Sequence, residues 1–145
     1  MSVLLVTGPS AAGKNTVSQA LAERRERCAV IDVDVVRWMY RKPHRAPWEG
    51  EEGRAQQRLG IENACLLAER FSECGLDVVI LDVVTDDTAG LYKKLIPSIK
   101  IALLLPSFAE ALRRLAGRPP TVSEGEFNMT YQWSESLTIY DEKID

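Results

Sequence analysis

Histidine, cysteine and long apolar runs are scarce in this sequence, and each scarcity excludes a class of protein. There is one histidine, and the three cysteines, Cys28, Cys65 and Cys74, share no C-x-x-C spacing. Neither a disulfide framework nor a zinc site is supported, so we expect reduced thiols. No apolar run approaches the roughly 18 residues of a membrane-spanning helix or forms a signal-peptide core. These absences predict a cytoplasmic protein without a membrane segment.

An excess of positive charge is also lacking. The 145 residues include 18 Lys and Arg against 21 Asp and Glu, for a net charge of -3. Proteins that coat nucleic acid need a clear basic excess to neutralise phosphates, so this balance argues against extended nucleic acid as a partner. The charge balance does not exclude a local site that binds the end of an oligonucleotide. The length suits one domain, which we place at residues 1–145.

Four continuous apolar runs predict buried strands. They lie at residues 3–6, 28–31, 78–81 and 101–105, and none has the alternation of a strand with one face in water. Helical periodicity predicts helices between and after them. Strands that alternate with helices indicate a three-layer α/β/α sandwich around a parallel sheet. The predicted helices lie at about residues 15–27, 54–74, 88–96 and 107–116.

Local signals mark helix ends and loops. Gly75 stands where a left-handed C-cap belongs, and Ser107 and Ser123 each precede a glutamate by three residues, as in a capping box. Each such cap contributes about 1 kcal/mol to helix initiation. Residues 41–53 and 117–125 are rich in proline, glycine and charge. Loops of this kind are often binding loops or lids, with solvated connections as the alternative, and we predict a short lid at 117–125.

The most specific signal is the segment Gly8-Pro-Ser-Ala-Ala-Gly-Lys-Asn-Thr16. It contains G-x-x-x-x-G-K directly after the first strand and directly before a helix, which is the context that a phosphate-binding loop (P-loop) requires. Its glycines allow backbone N–H groups to surround an anion, and the helix presents its positive end. Lys14 supplies a mobile cation for the β- and γ-phosphates. The sequence therefore predicts a site for a nucleoside triphosphate, with ATP as the expected nucleotide.

The form G-P-S-x-A-G-K-x-T is similar to the P-loop of cytidylate, adenylate and other nucleoside monophosphate kinases. In that group the residue after the lysine need not be Ser or Thr, and the next residue is Thr. Here Asn15 and Thr16 occupy these positions. The Asn15 amide oxygen is one candidate ligand for Mg²⁺, and the alternative is that water and nearby carboxylates hold the metal.

The resemblance extends over the whole chain in the order of its elements. It implies a P-loop fold with a five-stranded parallel sheet in the order 2-3-1-4-5, the last strand lying at about residues 140–145. The family normally continues into a final helix, so we expect the chain to be either a fragment or a minimal variant. No insertion is large enough for a monophosphate-binding domain, which argues against an adenylate kinase reaction.

Asp32 and Asp34 follow the second predicted strand, at the edge where open α/β sheets bind ligands. This region resembles shikimate kinase, gluconate kinase and chloramphenicol phosphotransferase, in which a similar strand end carries an Asp that contacts the acceptor hydroxyl. The resemblance assigns Asp34 to orient the acceptor or accept its proton, and it assigns Asp32 to the surroundings of Mg²⁺. The alternative is that one of the two caps the next helix.

Arg37 lies one helical turn after Asp34, on the same side of the chain. This D-x-x-R spacing resembles polynucleotide 5′-hydroxyl kinases, whose Arg holds an acceptor phosphate, so we predict that Asp34 and Arg37 bind the acceptor. The basic and aromatic residues around them could receive an anionic acceptor and stack on a base, or form a solvated loop. These residues are Trp38, Tyr40, Arg41, Lys42, His44, Arg45 and Trp48.

Asp82 ends the third predicted strand, beside the P-loop. A Walker-B aspartate occupies such a strand end and contributes to Mg²⁺ binding. The pattern of four apolar residues followed by Asp is weak by itself. We predict that Asp82 is associated with the metal.

Arg114 and Arg118 have the R-x-x-G-R spacing of the adenylate kinase lid region. In that family the first Arg packs on the adenine ring and the second reaches the phosphates. The resemblance implies the same roles here, which the planar guanidinium suits because it both stacks and forms paired hydrogen bonds. A surface pair of arginines at a helix end is the alternative.

Together these features predict an ATP-dependent kinase that transfers the γ-phosphate to a small-molecule or nucleotide acceptor, with Mg²⁺ as the expected metal. A polynucleotide 5′-hydroxyl kinase and a non-catalytic ATP-binding module are the alternatives. The predicted catalytic residues are Lys14, Asp34 and Arg118. The predicted nucleotide-binding residues are Gly8, Ser10, Ala11, Ala12, Gly13, Lys14, Asn15, Thr16 and Arg114.

Overall fold

The computed structural model of the chain describes residues 2–117 and 123–145. Over these residues the strands are β1 Val3–Thr7, β2 Cys28–Asp32, β3 Asp77–Leu81, β4 Lys100–Leu104 and β5 Glu142–Ile144. They form one parallel sheet in the order β2-β3-β1-β4-β5, which confirms the predicted order. Because β1 lies between β3 and β4, the loop that follows β1 is at the middle of the sheet's carboxyl edge.

Helices flank the sheet on both faces, as a parallel sheet requires. Those described are α1 Lys14–Glu23, α2 Val33–Trp38, α3 Gly50–Glu73, α4 Asp86–Leu95, α5 Phe108–Ala116 and α6 Glu124–Ser136. None of the helices in the described part of the chain is long and apolar enough to cross a membrane. The sequence analysis predicted α1, α3, α4 and α5. For α6 its only signal was the cap at Ser123.

The two faces of the sheet bury separate groups of apolar side chains. Successive residues of a strand point to opposite faces. In β1, Leu5 therefore packs with Ile61 of α3 on one face, whereas Val6 packs with Val17 and Leu21 of α1 on the other. Full burial of each such side chain stabilises the fold by roughly 1.5–3 kcal/mol. This double burial explains why the strands have continuous apolar runs.

α3 begins at Gly50, earlier in the chain than predicted. Two glycines suggested that the preceding loop continued to Gly53, but Glu51 and Glu52 lie in the first turn of α3, where negative charge favours the helix N-terminus. Position 53 requires glycine because of packing, since a side chain there would collide with the Ala46 carbonyl. The loop at residues 41–49 is thus packed closely against the start of α3.

α6 is held in place by an aromatic cluster. Phe127 and Tyr131 of α6 are buried together with Ala111 of α5. The Tyr131 hydroxyl also donates a hydrogen bond to the Pro106 carbonyl at 2.8 Å. Tyr131 further meets Phe108 edge-on, at 5.1 Å between ring centroids. These contacts fix the orientation of α6 relative to the P-loop.

The serine half of each predicted capping box is present. The Ser107 hydroxyl accepts a hydrogen bond from the N–H of Glu110 at 3.2 Å, and the Ser123 hydroxyl accepts one from the N–H of Glu126 at 3.1 Å. Gly75 follows α3 with a φ of 87°, which is the left-handed conformation expected there.

Candidate active site

The P-loop connects β1 to α1, and its backbone carbonyls bind the side chain of the motif's lysine. Lys14 is the first residue of α1, and its Nζ donates hydrogen bonds of 2.8 Å to the carbonyls of Gly8 and Pro9. Gly13 has a φ of 90°, which only glycine adopts readily. Gly8 packs so closely on the Leu104 carbonyl that a Cβ atom would clash with it. Both glycines of the motif are therefore needed for the path of this backbone.

Described residues around the P-loop line three adjoining cavities. The central cavity, of about 190 Å³, is lined by the P-loop and by the ends of β2 and β3. The β5-side cavity, of about 490 Å³, shares Ala11, Ala12 and Gly13 with it. The α6-side cavity, of about 610 Å³, shares Asp34 and Asp82 with it. The P-loop thus lies at the centre of a cleft that extends in two directions.

Three aspartates converge on the central cavity, as expected for the carboxyl ends of neighbouring parallel strands. Asp32 is also the N-cap of α2, because its Oδ1 accepts a hydrogen bond from the N–H of Asp34 at 3.0 Å. Burial is the main cause that raises the pKa of Asp32, and the negative charge of Asp34 is the second. This hydrogen bond and the Lys14 ammonium lower the pKa and so oppose the rise. Asp32 therefore combines a capping role with a place in the cavity lining.

Asp82 is the most perturbed of these carboxyl groups. Its pKa is raised from 3.8 to about 7, chiefly by loss of hydration and to a smaller degree by the nearby charge of Asp34. The hydroxyl of Tyr92, a fully buried residue of α4, donates a 2.7 Å hydrogen bond to Oδ2 of Asp82 and opposes this rise. A cation beside Asp82 would restore the ionised form, because it replaces the lost hydration.

The side chains around the central cavity fit Mg²⁺. Asn15 lines this cavity together with Asp32, Asp34 and Asp82, whereas Thr16 lines the β5-side cavity instead. Amide and carboxylate oxygens are ligands of a kind that Mg²⁺ accepts. Within residues 2–117 and 123–145, no three His, Cys, Asp or Glu side chains are grouped to hold a metal by themselves.

Arg114 lies between the P-loop and the β5-side cavity. Its Nη1 donates to the Ala12 carbonyl at 3.3 Å, and its Nε donates to Oε1 of Glu110 at 3.0 Å. Glu110 also binds Arg113, and these hydrogen bonds lower the pKa of Glu110 to about 2. Arg118 and most of the predicted lid lie outside the described residues.

Asp34 and Arg37, which D-x-x-R spacing predicted to act together, both line the α6-side cavity. Arg37 Nη2 donates to the Arg45 carbonyl at 2.9 Å. Its side chain crosses α3 at Gly60, where an added Cβ would lie 2.5 Å from Arg37 Cγ. Arg37 Nε is buried and has no hydrogen-bond partner among the described residues. The position of the guanidinium is therefore set by a glycine of another helix.

A buried glutamine organises the loop at residues 41–49. Gln56 Nε2 donates to the Pro43 carbonyl at 2.6 Å, and its Oε1 accepts from the N–H of Arg45 at 2.8 Å. Trp38 stacks on His44, with ring centroids 3.5 Å apart. Of the basic residues in this region, Arg37 and His44 line the α6-side cavity. Arg41, Lys42 and Arg45 have exposed side chains outside the described cavity linings.

Sequence reasoning missed the residues that α6 brings to the site. Glu126, Thr130 and Trp133 line the α6-side cavity. The Thr130 hydroxyl also lies 3.4 Å from the hydroxyl of Ser10 in the P-loop. The spacing of Phe127 and Tyr131, one helical turn apart, was an available signal for an amphipathic helix.

Sequence comparison gives one family. A sequence model of the AAA domain family matches residues 4–130. No curated protein matches the chain in sequence. The matched region includes the P-loop, all three aspartates of the central cavity and the first half of α6.

Solved structures share the fold at low sequence identity. A sugar kinase from Janibacter sp. HTCC2649 is 12% identical, with a TM-score of 0.76 over 99% of this chain and 83% of that chain. A gluconokinase from Sinorhizobium meliloti 1021 is 18% identical, with a TM-score of 0.65 over 99% and 80%. A shikimate kinase from Acinetobacter baumannii, in complex with shikimate, is 17% identical, with a TM-score of 0.59 over 100% and 83%. These likenesses confirm the P-loop kinase fold that the sequence resemblance implied.

Proposed function

We propose that this chain, which belongs to the AAA domain family, is a kinase that transfers the γ-phosphate of Mg·ATP to a hydroxyl group of a small acceptor. One observation carries the proposal. Asp34 lines both the central cavity, beside the P-loop lysine, and the α6-side cavity. A carboxylate placed between a phosphate site and a second cavity can accept the proton of a hydroxyl group in that cavity.

The nucleotide is proposed to lie along the P-loop, with its phosphates in the central cavity and its base in the β5-side cavity. Lys14 supplies positive charge to the β- and γ-phosphates, and Thr16 and Arg114 line the cavity proposed for the base. Arg114 is close enough to bond the Ala12 carbonyl of the loop, so its guanidinium can contact both a base and a phosphate. Arg118 is proposed to reach the phosphates from the lid.

Mg²⁺ is proposed to be held near Asn15, Asp32 and Asp82. When bound, it would neutralise charge on the transferring phosphoryl group. The three side chains would orient its water ligands, as expected for a metal that takes few direct protein ligands. Tyr92 fixes the Asp82 carboxylate through its 2.7 Å hydrogen bond.

In the proposed reaction the acceptor hydroxyl lies against Asp34, and Arg37 donates a hydrogen bond to another part of the acceptor. Phosphoryl transfer needs mainly positioning and charge neutralisation. We therefore expect Asp34→Asn to keep ATP affinity and lose transfer. Retained turnover in that variant would mean that another group activates the acceptor.

The test of the function is transfer of labelled γ-phosphate from Mg·ATP to a panel of nucleosides, nucleoside monophosphates, sugar acids, antibiotics and 5′-hydroxyl oligonucleotides. Lys14→Ala serves as the control. Label on one acceptor class, absent in the control, supports the kinase. ATP binding without transfer to any acceptor would favour a non-catalytic ATP-binding module instead.

A polynucleotide 5′-hydroxyl kinase is the second candidate. The observation that favours it is the exposed basic group of Arg41, Lys42 and Arg45 in the loop beside the α6-side cavity. Such residues could follow the phosphates of a strand whose 5′ end enters the cavity. Acceptor affinity would then fall steeply as salt rises, because phosphate contacts release counterions. A salt-independent KM for the acceptor would contradict this candidate.

A further inference from the structure

All three tryptophans of the sequence line the α6-side cavity. Trp38 is the last residue of α2, Trp48 belongs to the loop before α3, and Trp133 lies on α6. Three separate chain segments thus bring their tryptophans to one cavity, next to Asp34. This is the cavity in which we place the acceptor.

Two of the three tryptophans are largely exposed, and Trp133 is half-buried. Trp38 is 57% exposed and Trp48 is 47% exposed. The ring centroids of Trp48 and Trp133 lie 6.3 Å apart, with the ring planes inclined by 57°. Two rings at this angle form a corner in which a flat ligand ring can stack on one indole and meet the other edge-on. Both are favourable aromatic geometries.

The charged part of the cavity lining is mainly acidic. Its described members, apart from His44, are Asp34, Arg37, Glu49, Asp82 and Glu126. Asp82 is left out of the charge balance, because its raised pKa and the proposed metal reduce its negative charge. The carboxylates of Asp34, Glu49 and Glu126 still outnumber the one guanidinium of the lining, and Arg37 already donates to the Arg45 carbonyl. An anionic ligand would therefore meet like charge, whereas a cationic ligand would gain from both the carboxylates and the indole faces.

Building on the kinase function proposed above, we propose that the acceptor is an aromatic or heteroaromatic alcohol without negative charge, whose ring packs against Trp48 and Trp133. Its hydroxyl oxygen would form the new bond to the γ-phosphorus as the bond from that phosphorus to the bridging oxygen of ADP breaks. The hydroxyl proton would pass to Asp34. Sugar acids, which lack a flat ring and carry a carboxylate, are the class that this cavity disfavours.

The proposal can be tested by ligand binding, without turnover. The protein would be saturated with Mg²⁺ and a non-hydrolysable ATP analogue, so that the nucleotide site is filled. Four probes then separate charge from aromaticity: benzyl alcohol, 4-(aminomethyl)benzyl alcohol, 4-(hydroxymethyl)benzoate and cyclohexylmethanol. The readout is the three indole N–H signals in a ¹⁵N-resolved NMR spectrum, each assigned from a Trp→Phe variant.

We expect the neutral and cationic benzyl alcohols to shift the signals of Trp48 and Trp133. The benzoate should bind about tenfold more weakly, because it faces the acidic lining. Cyclohexylmethanol should also bind roughly tenfold more weakly, because it cannot stack. Benzoate binding as tight as that of benzyl alcohol would overturn the charge requirement. Unmoved indole signals at the highest soluble probe concentration, or equal binding of cyclohexylmethanol, would overturn the aromatic requirement.

Matched variants connect the effect to the cavity. Trp133→Leu should weaken benzyl alcohol binding roughly tenfold. Phe71→Leu replaces a partly exposed aromatic residue of α3 that is outside the described lining, and it should leave the affinity unchanged. Unchanged affinity for the ATP analogue would show that both variants are folded. Equal loss in the two variants, or no loss in Trp133→Leu, would contradict the proposal.

Labelled phosphate transfer to the same alcohols separates this proposal from the kinase function. If the rings bind at Trp48 and Trp133 but no class of acceptor is phosphorylated, the kinase function is wrong and the ligand class stands. If a sugar acid is phosphorylated and the indole signals do not move, the kinase function stands and the aromatic acceptor is wrong.

Discussion

Replacing Asp82 by asparagine should remove activity and at the same time stabilise the protein at alkaline pH. The half-buried carboxyl group lines the central cavity together with Asp34, and loss of hydration raises its pKa from 3.8 to about 7. Asparagine has the same shape and can still accept the hydrogen bond that the Tyr92 hydroxyl donates at 2.7 Å. The substitution therefore removes this charge and leaves the local packing in place.

The size of the effect follows from the pKa of Asp82. A carboxyl group whose pKa is raised by folding contributes stability below its unfolded pKa, and this stability is lost as pH rises towards the folded pKa. Each unit of difference corresponds to about 1.36 kcal/mol. Between pH 5 and pH 8 the unfolded chain already carries the charge, whereas the folded chain acquires it near pH 7. The wild type should lose about 3 kcal/mol relative to Asp82→Asn over this range.

The assay is urea unfolding of the wild type and Asp82→Asn at pH 5 and pH 8, without nucleotide. Titrating groups distant from Asp82 are common to the two proteins, so their contributions cancel in the difference. Phosphate transfer, measured in parallel, should fall in the variant because the proposed metal site loses a negative charge. If the stability difference between the two proteins is the same at both pH values, Asp82 does not carry the pKa shift and this reasoning is refuted.

Three further predictions concern the other parts of the site. Lys14→Ala should remain folded and lose ATP-dependent activity, as circular dichroism and a transfer assay would show; full activity would remove the P-loop assignment. Tyr92→Phe removes the hydrogen bond that lowers the pKa of Asp82, so the acidic limb of the pH profile of kcat/KM should move to higher pH; an unmoved limb would contradict a role for Asp82 in turnover. Gly60→Ala should displace the Arg37 side chain and raise KM for the acceptor severalfold with unchanged ATP affinity; unchanged KM would mean that Arg37 does not bind the acceptor.

The geometry of the P-loop was predictable because its signals are local. The P-loop motif lies within nine consecutive residues, and its strand and helix neighbours are the next elements of the chain. Asp34 and Asp82 were also predictable, because the ends of parallel strands meet at one edge of the sheet. The different positions of Asn15 and Thr16 follow from the helix, which directs consecutive residues to different sides.

The orientation of Arg37 could not be predicted in this way. The D-x-x-R spacing placed Arg37 on the same side of α2 as Asp34, but its path is set by Gly60 of α3 and by the Arg45 carbonyl. These partners are distant in the sequence or part of the backbone, so no local pattern marks them. The role of Gln56, which holds the loop at residues 41–49 by hydrogen bonds, could likewise not be predicted from a local pattern.

The α6-side cavity, where we propose that the acceptor binds, depends on tertiary packing to a greater degree than the P-loop does. Glu126, Thr130 and Trp133 lie at i, i+4 and i+7 of α6, which is the spacing of one helix face. By itself such a mixed polar face resembles a solvent-exposed surface. Only the burial of Phe127 and Tyr131 against α5 turns this face towards the P-loop. If the acceptor binds there as proposed, substitutions on α6 would change the acceptor while the P-loop motif stayed the same, and no phosphate-binding motif would reveal the change.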